Sequence, residues 1–126
     1  MKILGIDHGS KHVGLAKGDD ENKIALPFLS LENEGIDNLI GELSGIVKDE
    51  DIEVVVVGYP INLKGGKTEQ TNEVEVFVEK LKVGLNCEVV LEDERFSTAG
   101  ARKMGSDVDE HQLAAQSILQ GYLDKL

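Results

Sequence analysis

The run Lys2-Ile3-Leu4-Gly5-Ile6-Asp7-His8-Gly9-Ser10-Lys11-His12-Val13-Gly14-Leu15-Ala16 decides how this chain is read. An apolar strand ends on a carboxylate at Asp7, a glycine-containing turn comes next, and a second apolar stretch opens at Val13. Aspartate is depleted in strand interiors, so one at the inner end of a strand calls for a reason. The reasons divide into a metal ion or phosphate-handling site on one side, and a side-chain hydrogen bond that shapes the turn on the other. The remainder of the chain decides between them.

Outward from that run, strands are expected at Lys2–Asp7, near His12–Lys17 and near Lys23–Leu31. The link Gly18-Asp19-Asp20-Glu21-Asn22 is dense in turn formers, so the second and third strands form a hairpin. Ile36, Leu39, Ile40, Leu43, Ile46 and Val47 recur at helical spacing and predict an amphipathic helix from Glu34 to Lys48. Glu53-Val54-Val55-Val56-Val57-Gly58 is a continuous β-branched run, the pattern of a central strand covered on both faces. A second helix carries Val74, Phe77, Val78 and Leu81, with Thr68 as its N-cap and Glu69 as a favourable charge in its first turn. Cys87–Leu91 predicts a fifth strand, then a short helix over Thr98–Lys103, capped by Ser97, and a last helix over Val108–Leu123. Asp107 and Glu110 are expected to pair at the start of that last helix.

Strands joined by tight turns lie antiparallel, whereas helix-linked strands cross over and lie parallel. The order β-β-β-α-β-α-β-α-α therefore predicts an α/β fold. It is a five-stranded mixed sheet in the order 3-2-1-4-5, flanked by helices on both faces, with strands one, four and five parallel. At 126 residues the chain is expected to form one domain with a real core.

No apolar run approaches the ~20 residues of a membrane span, and the start shows no signal-peptide pattern. The lone Cys87 cannot form an internal disulfide and reads as a small buried hydrophobe. A cytoplasmic protein with no membrane partner is the expectation. The net charge of −11 excludes a protein that coats nucleic acid electrostatically. The charge is uneven, however: from Glu32 to Glu53 there are eight acids and one base, Lys48. Lys11, Lys64, Lys67, Arg95, Arg102 and Lys103 lie instead in or beside loops after strands, where a local basic rim can form.

In such a sheet, ligands bind outside the carboxyl ends of the parallel strands. Three segments meet there. Strand one ends in Asp7, the central strand runs into Gly58-Tyr59-Pro60-Ile61-Asn62-Leu63-Lys64-Gly65-Gly66-Lys67, and the last strand ends in Glu92-Asp93-Glu94-Arg95-Phe96-Ser97-Thr98. Two carboxylates from separate strands with bases nearby suit a divalent cation and a phosphate.

Four runs, in register over nearly the whole chain, resemble the YqgF/RuvX family of the ribonuclease H superfamily, whose members are described as pre-rRNA nucleases or Holliday-junction resolvase-like proteins. They are Gly5-Ile6-Asp7-x-Gly9-Ser10-Lys11-x-x-Gly14-Leu15-Ala16, Val57-Gly58-x-Pro60-x-Asn62-x-x-Gly65, Asp93-Glu94-Arg95-Phe96-Ser97-Thr98, and Ala114-Ala115-x-x-Ile118-Leu119-Gln120-x-Tyr122-Leu123. The resemblance implies a ribonuclease H-like fold and phosphodiester hydrolysis with a divalent metal, Mg²⁺ or Mn²⁺. It implies metal ligation and catalysis by Asp7 and Glu94, and substrate contacts by Lys11, Asn62, Lys64, Arg95 and Thr98.

The chain departs from the family where an aspartate usually stands three residues before the Ala-Ala pair: here it is His111. Helical spacing places His111 on the face of Ala115, Ile118 and Tyr122, towards the sheet. It is either a third metal ligand, better suited to Mn²⁺ than Mg²⁺, or a buried histidine satisfied by a hydrogen bond. His8 and His12 read as exposed turn residues.

Three functions compete on these residues. The first is a metal-dependent nuclease, with structured RNA (the 5′ end of the small-subunit rRNA precursor) as the favoured substrate and branched DNA as the alternative, acting as a monomer or homodimer. The second is a nucleotide-binding domain of the actin–Hsp70–sugar-kinase type, which needs two such domains where this chain has room for one. The third is a non-catalytic RNA- or ribosome-binding domain whose metal site has decayed at His111.

Overall fold

The structure, a computed structural model, describes residues 1–61, 65–95 and 109–126, the side chain of Arg95 excepted. The five strands are β1 (Lys2–His8), β2 (His12–Asp19), β3 (Leu26–Glu32), β4 (Ile52–Ile61) and β5 (Glu88–Arg95). They form one sheet in the order β3-β2-β1-β4-β5. β1 pairs antiparallel with β2 and parallel with β4, β2 pairs antiparallel with β3, and β4 pairs parallel with β5. The predicted topology is therefore the observed one: hairpin turns gave antiparallel neighbours and helical crossovers gave parallel ones.

Alternation along the strands sends side chains to two separate cores. Leu4, Ile6, Leu15, Val55 and Val57 are buried on one face beneath α1 (Ile36–Asp49) and α2 (Glu69–Gly84), together with Leu39, Leu43, Val74, Phe77 and Leu81. Ile3, Ala16, Val54 and Val56 are buried on the other face beneath α3 (Glu110–Leu123), with Ala115, Ile118, Leu119 and Leu123. The apolar run of β4 is thus covered on both sides, as its composition required. The buried face of α3 runs through Leu119 and Leu123 rather than Tyr122, which is half-buried. Cys87 is also half-buried, packed on the rim of the first core just before β5 begins.

Element boundaries differ where local turn chemistry overrides strand or helix pattern. β3 starts at Leu26, not Lys23, because Lys23 has φ 56° and lies outside extended space. The preceding turn is fixed by the Asp19 carboxylate, which accepts from the backbone N–H of Glu21 and Asn22 at 2.9 and 2.7 Å. α1 starts at Ile36 rather than Glu34 because Gly35 enters it at φ +119°, and no side chain caps it. The N-cap of α3 is Asp109, whose Oδ1 accepts from the Gln112 N–H at 2.8 Å, and Glu110 is its first helical residue. Asp107 lies outside the described residues, as does the expected short helix over Thr98–Lys103 with Ser97.

α2 begins as its sequence predicted. Thr68 and Thr71 satisfy each other's backbone N–H in a reciprocal cap. The buried Thr71 hydroxyl also donates to the Pro60 carbonyl, tying the first turn of α2 to the carboxyl end of β4.

α3 lies unusually close to the sheet, and missing side chains make that possible. A Cβ on Gly5 would stand 2.7 Å from the Leu119 Cβ, and one on Gly14 would stand 1.9 Å from the His111 carbonyl oxygen. Gly14→Ala should therefore force α3 outward and destabilise the chain by about 1–3 kcal/mol, the usual cost of overpacking. Gly45→Ala, on the open surface of α1 with nothing within 4 Å of the new methyl, should instead stabilise by about 0.5–1 kcal/mol. Urea midpoints of the two variants check this; a neutral Gly14→Ala would refute the close contact.

Candidate active site

β1 and β2 diverge at a tight turn over Gly9, Ser10 and Lys11. Its shape is imposed from β3's end: the Asn33 side-chain amide donates to the Gly9 carbonyl at 2.9 Å, and the Asn33 N–H donates to the Lys11 carbonyl at 2.8 Å. Asp7, just before the turn, pairs across the ladder with Gly14. Since the His111 carbonyl presses on Gly14, the start of α3 stands beside Asp7. Burial raises the Asp7 carboxyl above its ordinary range, and the neighbouring His111 opposes that rise.

Glu94 arrives from the far side. β5 is two strands from β1, so its backbone is roughly 10 Å away. The gap closes through β4. A Cβ on Gly58 would lie 2.9 Å from Glu94 Oε2 and 2.4 Å from Ile118 Cδ1, so the bare backbone of Gly58 leaves the space that the Glu94 carboxylate and Ile118 share. Burial, reinforced by the nearby Asp7 charge, pushes the Glu94 carboxyl from 4.5 up to about 7.

Asp7, Glu94 and His111 are therefore brought to one end of the sheet by β1, β5 and α3. Among the described residues no three histidine, cysteine or acidic side chains are already closed around a common point. The donor chemistry nevertheless fits a divalent cation. Two half-buried carboxylates stand near enough for the Asp7 charge to act on Glu94, and among the described residues no lysine or arginine pairs with either. The contrast is Glu92 on the same strand, buried but bonded by Lys125 at 2.7 Å. Hard oxygen donors carrying uncompensated charge are what Mg²⁺ or Mn²⁺ would neutralise.

The other predicted site residues divide. Lys11 is exposed on the β1–β2 turn and lines a cleft of about 830 Å³ that also contains His12, Glu69, Glu73 and His111. Arg95 closes β5 opposite Ile61, its side chain outside the described residues. Asn62, Lys64 and Thr98 lie outside the described residues.

Of the remaining histidines, His8 differs from the expectation of an exposed turn residue, whereas His12 is exposed as expected but opens β2. His8 is the last residue of β1, half-buried against Phe77 with ring centroids 4.5 Å apart, and its Nδ1 is buried without a hydrogen-bond partner among the described residues. Burial lowers its tendency to protonate. His12 is exposed but not isolated: its ring stacks on that of His111, with centroids 4.9 Å apart and planes inclined by 26°. The His111 side chain is 31% exposed rather than fully in the core, with Nε2 3.9 Å from a Glu110 carboxylate oxygen. No spacing rule could pair His12 with His111, because the contact exists only after α3 docks.

A family model described as RuvX: Holliday junction resolvase matches residues 1–125. Curated relatives named "Putative pre-16S rRNA nuclease" include those of Pelagibacter ubique, 33% identical over 100% of this chain and 89% of the relative, and Dictyoglomus turgidum, 33% identical over 100% and 96%. That of Anaplasma marginale is 37% identical over 98% and 84%. Among solved structures, T. thermophilus RuvC in complex with a Holliday junction substrate superposes with a TM-score of 0.58 at 13% identity, over 96% of this chain and 91% of that one. The fowlpox virus Holliday junction resolvase gives 0.56 at 15% identity over 100% of both. At such identities the likeness is one of fold.

Burying two carboxylates without cationic partners opposes folding. Because Glu94 ionises less readily in the folded chain than in the unfolded one, the folded state holds an extra proton between pH 4.5 and about 7. Stability is then greatest at the acid end of that window and falls as pH rises through it. Glu94→Gln should remove the effect. In chelating buffer it should be more stable than the native chain by about 2 kcal/mol at pH 8, a figure discounted for partial exposure, with the gap closing towards pH 4.5. Parallel denaturation across that range would contradict the assignment.

Proposed function

The chain belongs to the RuvX family, and from that membership we propose that it is a nuclease hydrolysing phosphodiester bonds at Asp7 and Glu94 with a divalent metal, Mg²⁺ or Mn²⁺. The observation that carries the reading is the pair of half-buried, uncompensated carboxylates brought together at the strand ends. The bound ion would supply an activated water and neutralise charge on the leaving oxygen. Asp7 and Glu94 hold it from two strands that do not move independently, because β4 is hydrogen-bonded to both of theirs. His111 stands next to Asp7 on the helix side and offers a nitrogen donor. Lys11, exposed on the turn after Asp7 and lining the adjoining cleft, would neutralise a phosphate of the bound strand. Arg95, Asn62, Lys64 and Thr98 are assigned to substrate contact on their family positions.

The names of the curated relatives support the precursor of 16S rRNA as substrate; we take that RNA to be structured and the protein to act on it in the cytoplasm. The description of the family supports a second reading, resolution of four-way DNA junctions, which requires a symmetric dimer to cut two strands.

Asp7→Asn keeps the shape and removes the charge on which cation binding rests. It should reduce metal-dependent cleavage of structured RNA by about 100-fold or more, since losing even an outer partner of a metal ligand costs up to that much. The melting temperature should not fall. Unchanged cleavage at saturating Mg²⁺ would overturn the site.

His111→Asp tests the remaining donor. If the imidazole ligates, it supplies a nitrogen donor that suits Mn²⁺ better than Mg²⁺. The aspartate variant should then keep activity and shift its preference from Mn²⁺ towards Mg²⁺. A variant that melts lower and keeps the native metal preference would remove His111 from the site.

A further inference from the structure

The cleft beside the carboxylate pair carries, besides Lys11 and His111, chemistry that hydrolysis does not use. His12 lies on its wall with its side chain exposed and one ring face stacked on His111, centroids 4.9 Å apart, which leaves its other face for a further stacking partner. Glu69 and Glu73, on the first turns of α2, line the same cleft with Gln70. Those carboxylates repel phosphate and accept hydrogen bonds from N–H groups. Lys11, on the β1–β2 turn, is the one lysine or arginine of the lining among the described residues.

An open π-face, hydrogen-bond acceptors lining the same cleft and a lysine are the complement of a nucleobase with exposed N–H donors, attached to one phosphate. Guanine presents two adjacent donors, its N1–H and N2 amino group, to one carboxylate, whereas adenine and cytosine present an amino group and uracil a single N3–H. In a duplex those donors are paired and the faces stacked, so only an unpaired base can offer both to a protein. The cleft holds about 830 Å³, ample for one nucleotide. His111 belongs to its wall and also stands beside Asp7, which puts the cleft next to the scissile position.

We propose that this cleft takes one unpaired, donor-bearing nucleobase adjoining the phosphodiester to be cut, stacked on His12 and hydrogen-bonded by Glu69 or Glu73. The substrate class is then nucleic acid with a single-stranded segment at the cleavage point rather than continuous duplex. The proposal rests on the nuclease reading.

The test is fluorescence anisotropy of the full chain, in chelating buffer so that nothing is cut, with a blunt RNA duplex and the same duplex carrying a guanosine or a uridine overhang. The guanosine overhang should bind roughly tenfold tighter than the blunt duplex, about one base–aromatic stack, and tighter than uridine. Overhangs of DNA should show the same preference, since neither contact reads the sugar. His12→Ala should abolish the overhang preference and leave blunt-duplex binding intact. His12→Phe, which keeps a flat ring, should retain it, and Glu73→Gln should narrow the margin of guanosine over uridine. Equal binding of blunt and overhang duplexes by the native chain overturns the proposal while leaving the nuclease reading standing. So does a His12→Ala variant that still prefers the overhang. Failure to bind any of these nucleic acids, together with no cleavage in Mn²⁺, overturns both.

Discussion

The close seat of α3 on the sheet is the constraint on which the rest of the molecule depends. Helices usually ride about 10 Å above a sheet because side chains fill the space between; here Gly5, Gly14 and Gly58 remove those side chains along the line where α3 crosses β2, β1 and β4. The consequence is positional. The first turn of α3 lands on Gly14, the residue opposite Asp7, and Ile118 shares the space over Gly58 with the Glu94 carboxylate. One helix therefore places His111 beside Asp7 and helps confine Glu94. A larger residue at any of the three glycines would act on the active centre as well as on packing.

Electrostatics explains why the pair can be tolerated. An uncompensated half-buried carboxylate is costly, and the chain answers differently at two neighbouring positions. Glu92 receives Lys125 and is neutralised within the fold. Glu94 receives no such partner among the described residues, and its charge is left for an ion to meet. The acidic stretch around α1 packs on the opposite face of the sheet from α3, beneath which Asp7 and Glu94 lie. The net charge of −11 is therefore not a measure of the field a polyanion meets at the strand ends.

Much of this architecture is legible in the residues alone. The sheet order comes from which strands are joined by turns and which by helices, and α2 from the spacing of Val74, Phe77, Val78 and Leu81 after a threonine cap. Asp7 and Glu94 are legible because a carboxylate at a strand's end has few structural uses. The reach of Glu94 to Asp7 is not legible: pattern gives strand order, whereas the closing distance depends on Gly58 being bare under Ile118. The start of β3 is hidden because Lys23 adopts a left-handed conformation that residue type alone does not announce. The surroundings of His8 and His12 are hidden for a related reason. Turn proximity is a local property, but the Phe77 and His111 rings that receive them come from helices docked later in the chain.

The histidine at position 111 is then best understood with its neighbour rather than as a lone replacement. An aspartate there would add a third carboxylate beside two that burial already discourages from ionising. A neutral imidazole adds a donor without that repulsion, and its flat ring finds His12 to lie against. The histidine that would soften the proposed metal site thus also lies against the ring lining the adjoining cleft. On the two proposals, ion and nucleobase would be read on two sides of a single residue. In an acidic chain this is a physically economical way to hold a polyanion: contacts through a bound cation and a stacked base do not need the broad basic surface that this composition cannot provide.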